Sequence, residues 1–133
     1  MTLQRILVVD DESLAREYLA EAVTNLGYSA LTADSAEAAL KAIEAEQPDV
    51  VMTDLRMPDM DGVELTRRIG ERWPDLPVLM CTAHATIETA VEAMKHGARD
   101  VLTKPVSIDS IEHQLGRIQR ENRLEAENRY LRT

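Results

Sequence analysis

The sequence predicts an α/β fold in which a five-stranded parallel sheet has helices on both faces. Five short apolar segments alternate along the chain with five longer segments whose apolar residues recur at helical spacing. This alternation is typical of parallel sheets covered by helices. A second observation concerns the strand ends, which carry polar side chains at four places: Asp10-Asp11, Asp54, Thr82 and Lys104. In open parallel sheets, ligands bind at this edge.

The first half of the chain predicts three strands and two helices. Its short apolar, largely β-branched segments predict strands over 6–9, 29–33 and 50–53. Between them, a helix over 13–26 ends before Gly27, and a helix capped by Ser35 ends near Gln47, just before Pro48. In the first helix, six residues recur on one face and are predicted to point inward: Ala15, Tyr18, Leu19, Ala22, Val23 and Leu26.

The second half repeats the alternation. We predict a helix over 62–72, a strand over 78–81, a helix from Thr86 that stops at Gly97, and a strand over 100–103 that Pro105 ends. The helix that starts at Thr86 has an apolar stripe that is predicted to face the core: Ile87, Ala90, Val91 and Met94. A final helix starts near residue 108.

The final helix extends beyond its apolar stripe, which comprises Ile108, Ile111, Leu115 and Ile118. Residues 119–133 are nearly all polar, and the apolar Leu124 and Leu131 lie seven positions apart. We therefore predict a domain over 1–118 and a helical extension over 119–133. The extension is either a solvated helix end or a linker that begins a dimerising coiled coil, because two leucines are too few to decide.

Bulk composition limits the possible functions. A chain of 133 residues forms one domain, and its content of 44% hydrophobic and 29% charged residues is globular. The net charge of −9 disfavours direct contact with nucleic acid, which depends on basic residues. Cys81 is the single cysteine, so a reduced compartment fits, and we see neither a signal peptide nor a stretch that spans a membrane. We expect a cytoplasmic protein.

The polar strand ends predict a metal site. If Asp10, Asp11 and Asp54 converge near Lys104, their formal charges sum to −2. Two carboxylates about 4 Å apart repel by about 4 kcal/mol at an effective dielectric constant of about 20. A divalent cation that prefers oxygen ligands neutralises such a cluster, and Mg²⁺ binds through one or two carboxylates together with water and phosphate oxygens. The sequence therefore predicts Mg²⁺ at this edge.

A carboxylate in such a site can act as a nucleophile and form an aspartyl phosphate. Lys104 and the hydroxyl of Thr82 can then contact phosphoryl oxygens, and the small side chain of Ala83 leaves an approach path open. Taken singly, each residue has an ordinary explanation; Asp10 and Asp11, for example, could cap the following helix. Their joint occurrence at strand ends favours the functional interpretation. Asp59 and Asp61 are predicted to shape the loop and cap the next helix.

These residues lie in motifs that closely resemble the receiver domain of two-component response regulators. The motifs are 8–11 (VVDD), Asp54 with 57–62 (MPDMDG), Thr82-Ala83 and Lys104-Pro105, and the resemblance covers residues 4 to about 118. It implies a flavodoxin-like, doubly wound sheet of order 2-1-3-4-5. It also implies roles: Asp54 as phosphoacceptor; Asp10, Asp11, Asp54 and the Arg56 backbone carbonyl as Mg²⁺ ligands; Thr82, Ala83 and Lys104 as the phosphoryl-binding switch; and Pro105 as a cis-proline.

Residues 56–58 and 86–94 resemble receivers of the nitrogen-regulator type, which often precede a transcription-activating ATPase. One departure is that Val101 occupies the position, three residues before Lys104, where the family usually has a Tyr or Phe that reorients on phosphorylation. Arg99 and Val106 also stand where aromatic residues are frequent. We therefore hypothesise that phosphorylation moves Thr82 and the 83–86 loop, and that the helix over 86–96 and the last helix transmit the change.

The resulting functional prediction is a phosphorylation switch and not an enzyme acting on external substrates. We expect a sensor histidine kinase to donate to Asp54 and the active state to control a transcriptional output domain or a partner protein. We also expect a homodimer through the last helix and its extension. Two alternatives are an aspartate-nucleophile phosphatase and a scaffold that is never phosphorylated. The phosphatase would carry an Asp-x-Asp motif after its first strand, whereas this chain has Asp10-Asp11-Glu12. The complete acceptor set disfavours the scaffold.

Overall fold

The fold alternates strands and helices along the whole described chain. A computed structural model describes residues 3–132. Its strands are β1 Arg5–Val9, β2 Ser29–Ala33, β3 Val50–Asp54, β4 Val78–Thr82 and β5 Asp100–Thr103. Its helices are α1 Ser13–Asn25, α2 Ala36–Glu46, α3 Gly62–Arg72, α4 Ile87–Lys95 and α5 Ile108–Arg132. The predicted α/β class is confirmed.

The sheet is parallel throughout and has the order β2-β1-β3-β4-β5, which confirms the predicted order. The two central strands, β1 and β3, are neighbours, and Val9 is paired with Thr53. The next residue of each strand is an aspartate, so Asp10 and Asp54 leave the sheet side by side. The two aspartates are adjacent because β1 and β3 are neighbours in the sheet, although these strands are not consecutive along the chain.

Helices cover both faces of the sheet. On one face, Leu19 and Val23 of α1 pack in one buried cluster with Ile111 and Leu115 of α5. On the other face, a second cluster combines α2 and α3 with the opposite side chains of the central strands. The central strands are buried from both sides, which explains why their sequences are continuously apolar. Within residues 3–132, no helix is long and apolar enough to cross a bilayer.

The last helix is a single element that continues well beyond the core. Ile111, Leu115 and Ile118 are buried as predicted, but the prediction for Ile108 is wrong, because its side chain is 43% exposed. Glu121 forms an ion pair with Arg99, which ties the start of the extension to the loop before β5. Among the α5 residues whose side chains the structure describes, Ile118 is the last buried one. Residues 1, 2 and 133 lie outside the described residues.

Inward-facing predictions are also wrong on two further helices. On α4, Ile87, Val91 and Met94 are 85%, 58% and 50% exposed, and the buried residue is Ala93. The physical reason is that an alanine lets this helix lie close to β5, so the larger side chains occupy the outer face. On α1, Tyr18 is 45% exposed and the buried position beside it is Leu19.

Gly62, the first residue of α3, lies against the backbone of β3. Its N–H donates to the Leu55 carbonyl at 2.6 Å, and a methyl group at this position would overlap the Asp54 carbonyl oxygen. We expect Gly62→Ala to destabilise the protein by about 2 kcal/mol or more, because neither backbone segment can yield easily. Urea unfolding followed by Trp73 fluorescence measures this change.

Gly70 provides a matched control on the same helix. A methyl group there meets nothing within 4 Å, so we expect Gly70→Ala to stabilise the protein by about 0.5–1 kcal/mol through helix propensity. Equal destabilisation by both substitutions would contradict the close approach at Gly62.

Candidate acidic site at the carboxyl edge of the sheet

Three carboxylates meet at the ends of β1 and β3. One oxygen from each of Asp10, Asp11 and Asp54 lies within 4.8 Å of the others. Asp10 is completely buried, Asp54 is half-buried, and Asp11 is exposed to solvent. The cluster therefore opens to solvent on the Asp11 side, where a cation and a phosphoryl group can enter.

Lys104 lies between the two inner carboxylates. Its Nζ is 2.6 Å from Asp10 Oδ2 and 3.3 Å from Asp54 Oδ1. The remaining oxygen of Asp10 accepts a hydrogen bond from the Glu12 N–H at 3.0 Å, and Asp54 Oδ1 also accepts from the Leu55 N–H at 2.9 Å. The lysine thus neutralises one of three negative charges and leaves the cluster with an excess of negative charge.

Burial and charge together shift the pKa values of Asp54 and Lys104. Burial raises the pKa of Asp54 above its ordinary value, the Lys104 charge opposes this shift, and the charge of Asp10 adds to it. Burial lowers the pKa of Lys104, but the hydrogen bond to Asp10 and the charge of Asp54 outweigh that effect, so its pKa is raised. Lys104 is accordingly charged at neutral pH.

The next two strands bring Thr82, Ala83 and Lys104 to the same edge. Thr82 is buried at the end of β4; its hydroxyl accepts from the His84 N–H at 3.1 Å, and its carbonyl accepts from the Lys104 N–H at 2.9 Å. Ala83 is exposed and lines a groove with Lys104. The Lys104–Pro105 peptide bond is cis. Of the predicted switch residues, Lys104 contacts the acidic cluster directly, and Thr82 and Ala83 lie at the end of the neighbouring strand β4.

The loop between β3 and α3 is fixed by two carboxylates in different ways. Asp61 caps α3, as predicted, because its side chain accepts from the Glu64 N–H at 2.8 Å. Asp59 holds the loop, but the prediction that it caps α3 is wrong: it caps the earlier helix α2, where it accepts from the Ala36 and Glu37 N–H groups at 3.2 and 2.9 Å. These bonds outweigh the effect of burial and lower the pKa of Asp59. Arg56 lies in this pinned loop and is exposed.

Val101 lies in β5, at the position where receiver domains usually have an aromatic residue. It is half-buried against a small cluster of Met80, Ala93 and Ala98, together with Leu55, the residue that follows Asp54. The cluster joins the end of β3 to α4 through aliphatic contacts. Cys81 lies nearby in the sheet, and burial raises the pKa of its thiol to about 12, so it is not a thiolate nucleophile.

The donor set fits Mg²⁺. All three clustered side chains offer carboxylate oxygens, which this cation prefers, and the cluster offers neither thiolates nor imidazoles, the ligands typical of zinc. Among the described residues, the cation whose side chain pairs with the carboxylates of both Asp10 and Asp54 is Lys104, which compensates a single charge. A further positive charge is therefore accommodated electrostatically.

The sequence did not predict the contacts that two α1 side chains make near the site. Arg16 donates from Nη1 to the Asp10 carbonyl at 2.8 Å, and Tyr18 donates from its hydroxyl to the Val106 carbonyl at 2.7 Å. Tyr18 also lines an apolar groove of about 420 Å³ together with Leu14, Pro105 and Val106. The signal for Tyr18 was its hydroxyl, because a tyrosine near an interior needs a hydrogen-bond partner.

Comparisons with known proteins agree with this geometry. The family described as the response regulator receiver domain matches residues 6–116. The DNA-binding transcriptional regulator NtrC of Proteus hauseri is 46% identical over 104 residues, which are 78% of this chain and 22% of that protein. The C4-dicarboxylate transport transcriptional regulatory protein DctD of Pseudomonas aeruginosa is 38% identical over 128 residues, which are 96% of this chain and 28% of that protein.

A solved structure shows the same fold. The beryllofluoride-activated NtrC4 receiver domain dimer superposes with a TM-score of 0.82 at 36% identity and covers 88% of this chain and 97% of that chain. The predicted resemblance to nitrogen-regulator receivers is confirmed. The chain spans between a fifth and a third of the length of the two curated relatives.

Proposed function

Because this chain belongs to the response regulator receiver domain family, whose members are phosphorylation-activated signalling domains that control output domains, we propose that Asp54 is its phosphoacceptor. The phosphoryl donor is a sensor histidine kinase. The observation that carries this proposal is the position of the Lys104 ammonium, 2.6 Å from Asp10 and 3.3 Å from Asp54. That arrangement supplies a nucleophilic carboxylate with a cation already beside it.

The residues of the cluster divide the chemistry among them. A carboxylate oxygen of Asp54 forms a bond to phosphorus as the bond between phosphorus and the donor nitrogen breaks. Lys104 binds a phosphoryl oxygen while keeping its contact with Asp10, and the Thr82 hydroxyl and loop N–H groups bind another. The exposed, small Ala83 leaves room for the donor to approach.

Asp10, Asp11, Asp54 and the Arg56 backbone carbonyl would hold Mg²⁺. When bound, Mg²⁺ neutralises charge on the carboxylates and on the transferring phosphoryl oxygens. The loop that carries Arg56 is held at two points: the Gly62 N–H bonds the Leu55 carbonyl, and the Asp59 carboxylate bonds α2. Both contacts support the Arg56 carbonyl in this role.

Labelling of the wild-type chain tests the proposed function. Incubation with phosphoramidate and Mg²⁺ is expected to add a single phosphoryl group, and borohydride reduction followed by mass spectrometry is expected to convert Asp54 to homoserine. Absence of label, or label on a different carboxylate, would contradict the assignment of Asp54.

The proposed output route runs through α4 and α5. Leu55, the residue after Asp54, and Val101 both pack against the cluster that contains Ala93 of α4, so a shift at the site has an aliphatic path to α4. With beryllofluoride and Mg²⁺, we expect amide NMR shifts along 86–118 that exceed those along α2 and α3. Amide resonances of 86–118 that remain unchanged would refute this route.

The partners follow from the chemistry of the surface. The apolar groove that contains the 79%-exposed Leu14 borders Lys104 and is suited to a helix of the kinase. The net charge of −9 disfavours direct DNA contact by this chain. We assign the switch to the cytoplasm, where its relatives' transcriptional role would be exerted, and the controlled output to a transcriptional domain or a partner protein.

We assign residues 119–133 to a helical linker that supports a homodimer. The continuous α5 carries Leu124 and Leu131 at 57% and 79% exposure, and both lie on the extension beyond the core. The solved NtrC4 relative is described as a dimer. Sedimentation velocity of the wild type and of a Leu124→Glu, Leu131→Glu variant measures this association, and equal monomeric behaviour of both would contradict it.

A further inference from the structure

Tyr18 and Lys104 are joined through a short loop that has little freedom. The Lys104 N–H donates to the Thr82 carbonyl at 2.9 Å, and two residues later the Val106 side chain is buried at 3% exposure. The Val106 carbonyl accepts the Tyr18 hydroxyl at 2.7 Å, a contact between residues 88 positions apart. Tyr18 therefore fixes the far end of the segment whose near end carries the site's lysine.

The hydroxyl of Tyr18 contributes little to packing. Tyr18 is 45% exposed as a residue and lines an open groove, whereas the neighbouring Leu19, 4% exposed, anchors α1 in the core. The hydrogen bond to Val106 is thus the principal constraint that this side chain adds. It joins α1 to the loop that follows Lys104.

We propose that Tyr18 is a positioning residue for phosphoryl transfer, which sets the placement of the Lys104 ammonium between Asp10 and Asp54 by holding the Val106 carbonyl. The proposal rests on the proposed function, since it needs Asp54 to be the acceptor. It gives α1 a direct mechanical link to the site, through a single hydrogen bond. The aliphatic Val101 on β5 has no polar atom in its side chain with which to make such a link.

The test is the rate of Asp54 phosphorylation by phosphoramidate at saturating Mg²⁺. Tyr18→Phe keeps the ring and removes the hydrogen bond, and we expect the rate to fall about fivefold, the factor that corresponds to one neutral hydrogen bond. Tyr28→Phe, at a half-buried tyrosine outside the groove, is the matched control and is expected to leave the rate unchanged.

Two further measurements separate positioning from general stability. In a Lys104→Met background, Tyr18→Phe is expected to have no additional effect on the labelling rate, because its route to Asp54 is gone. The Lys104 ¹³Cε NMR resonance is expected to move in Tyr18→Phe and to stay in place in Tyr28→Phe. This second measurement does not depend on how well the Lys104→Met variant is labelled.

The outcomes distinguish this inference from the function on which it rests. A wild-type chain that takes no label refutes the proposed function. A labelled wild type, with Tyr18→Phe labelled at the same rate or with an unmoved Lys104 resonance, overturns the positioning role alone. A Tyr18→Phe effect that persists at full size without Lys104 also overturns it.

Discussion

Asp54→Asn is expected to reduce phosphoryl incorporation from a small phosphodonor by at least about a hundredfold, because the side-chain amide is not a nucleophile that forms an acyl phosphate. The substitution preserves the size of the side chain and the acceptor for the Leu55 N–H. The change is measured as label per mole of protein in the presence of Mg²⁺, with the fold verified by circular dichroism.

Asp34→Asn is the matched control for this experiment. Asp34 also follows a strand, β2, at the same edge of the sheet, but it is exposed and is not a member of the carboxylate cluster. We expect the control to take up label like the wild type. Persistent labelling of Asp54→Asn would refute the acceptor assignment, and loss of label in both variants would point to a nonspecific effect of charge.

The sequence predicted most of the elements because the strands of this fold are buried from two sides. The apolar segments at 6–9, 50–53 and 78–81 lie within β1, β3 and β4, whose bounds differ by one residue at one end. Their order in the sheet does not follow from periodicity, and its prediction depended on the resemblance of the strand-end motifs to receivers. Once that order is given, Asp10 and Asp54 become neighbours through the pairing of Val9 with Thr53.

The outward face of α4 could not be predicted from periodicity. Ile87, Ala90, Val91 and Met94 repeat at helical spacing, as core residues do, and Ala93 lies outside that predicted stripe. Close approach to β5 selected a small side chain, and Ala93 is completely buried. Hydrophobic periodicity identifies an apolar helix face, but it does not show whether the sheet or a partner covers that face.

The side-chain hydrogen bonds between distant loops and helices could not be predicted from the hydrophobic pattern either. Asp59 was expected to serve the helix that follows it, yet its carboxylate caps α2, which lies 22 and 23 positions earlier at the contacting residues. Tyr18 was expected in the core, but its hydroxyl reaches Val106. Both contacts join segments that are distant along the chain, so local sequence carries no information about them.

The second large effect concerns the stability of the protein without and with Mg²⁺. Since burial raises the folded-state pKa of Asp54 above its ordinary value of 3.8, the folded state binds this proton more tightly than the unfolded state. The metal-free protein therefore loses stability as the pH rises from that value through the raised pKa. At neutral pH without metal, Asp54→Asn is expected to be more stable than the wild type, and the difference is expected to shrink in acid.

Mg²⁺ is expected to reverse this order, because a ligand that binds only the folded state stabilises it by about 2.7 kcal/mol at one hundred times its dissociation constant. The wild type gains this stabilisation, whereas Asp54→Asn loses one carboxylate of the cluster and gains less. Urea unfolding at neutral pH, followed by Trp73 fluorescence with EDTA or with Mg²⁺, measures both free energies, and Asp34→Asn is expected to behave as the wild type. The reversal requires the Asp54 carboxylate to destabilise the metal-free protein and to stabilise the Mg²⁺-bound protein. Asp54→Asn that is less stable than the wild type in EDTA would therefore contradict the electrostatic description of the cluster.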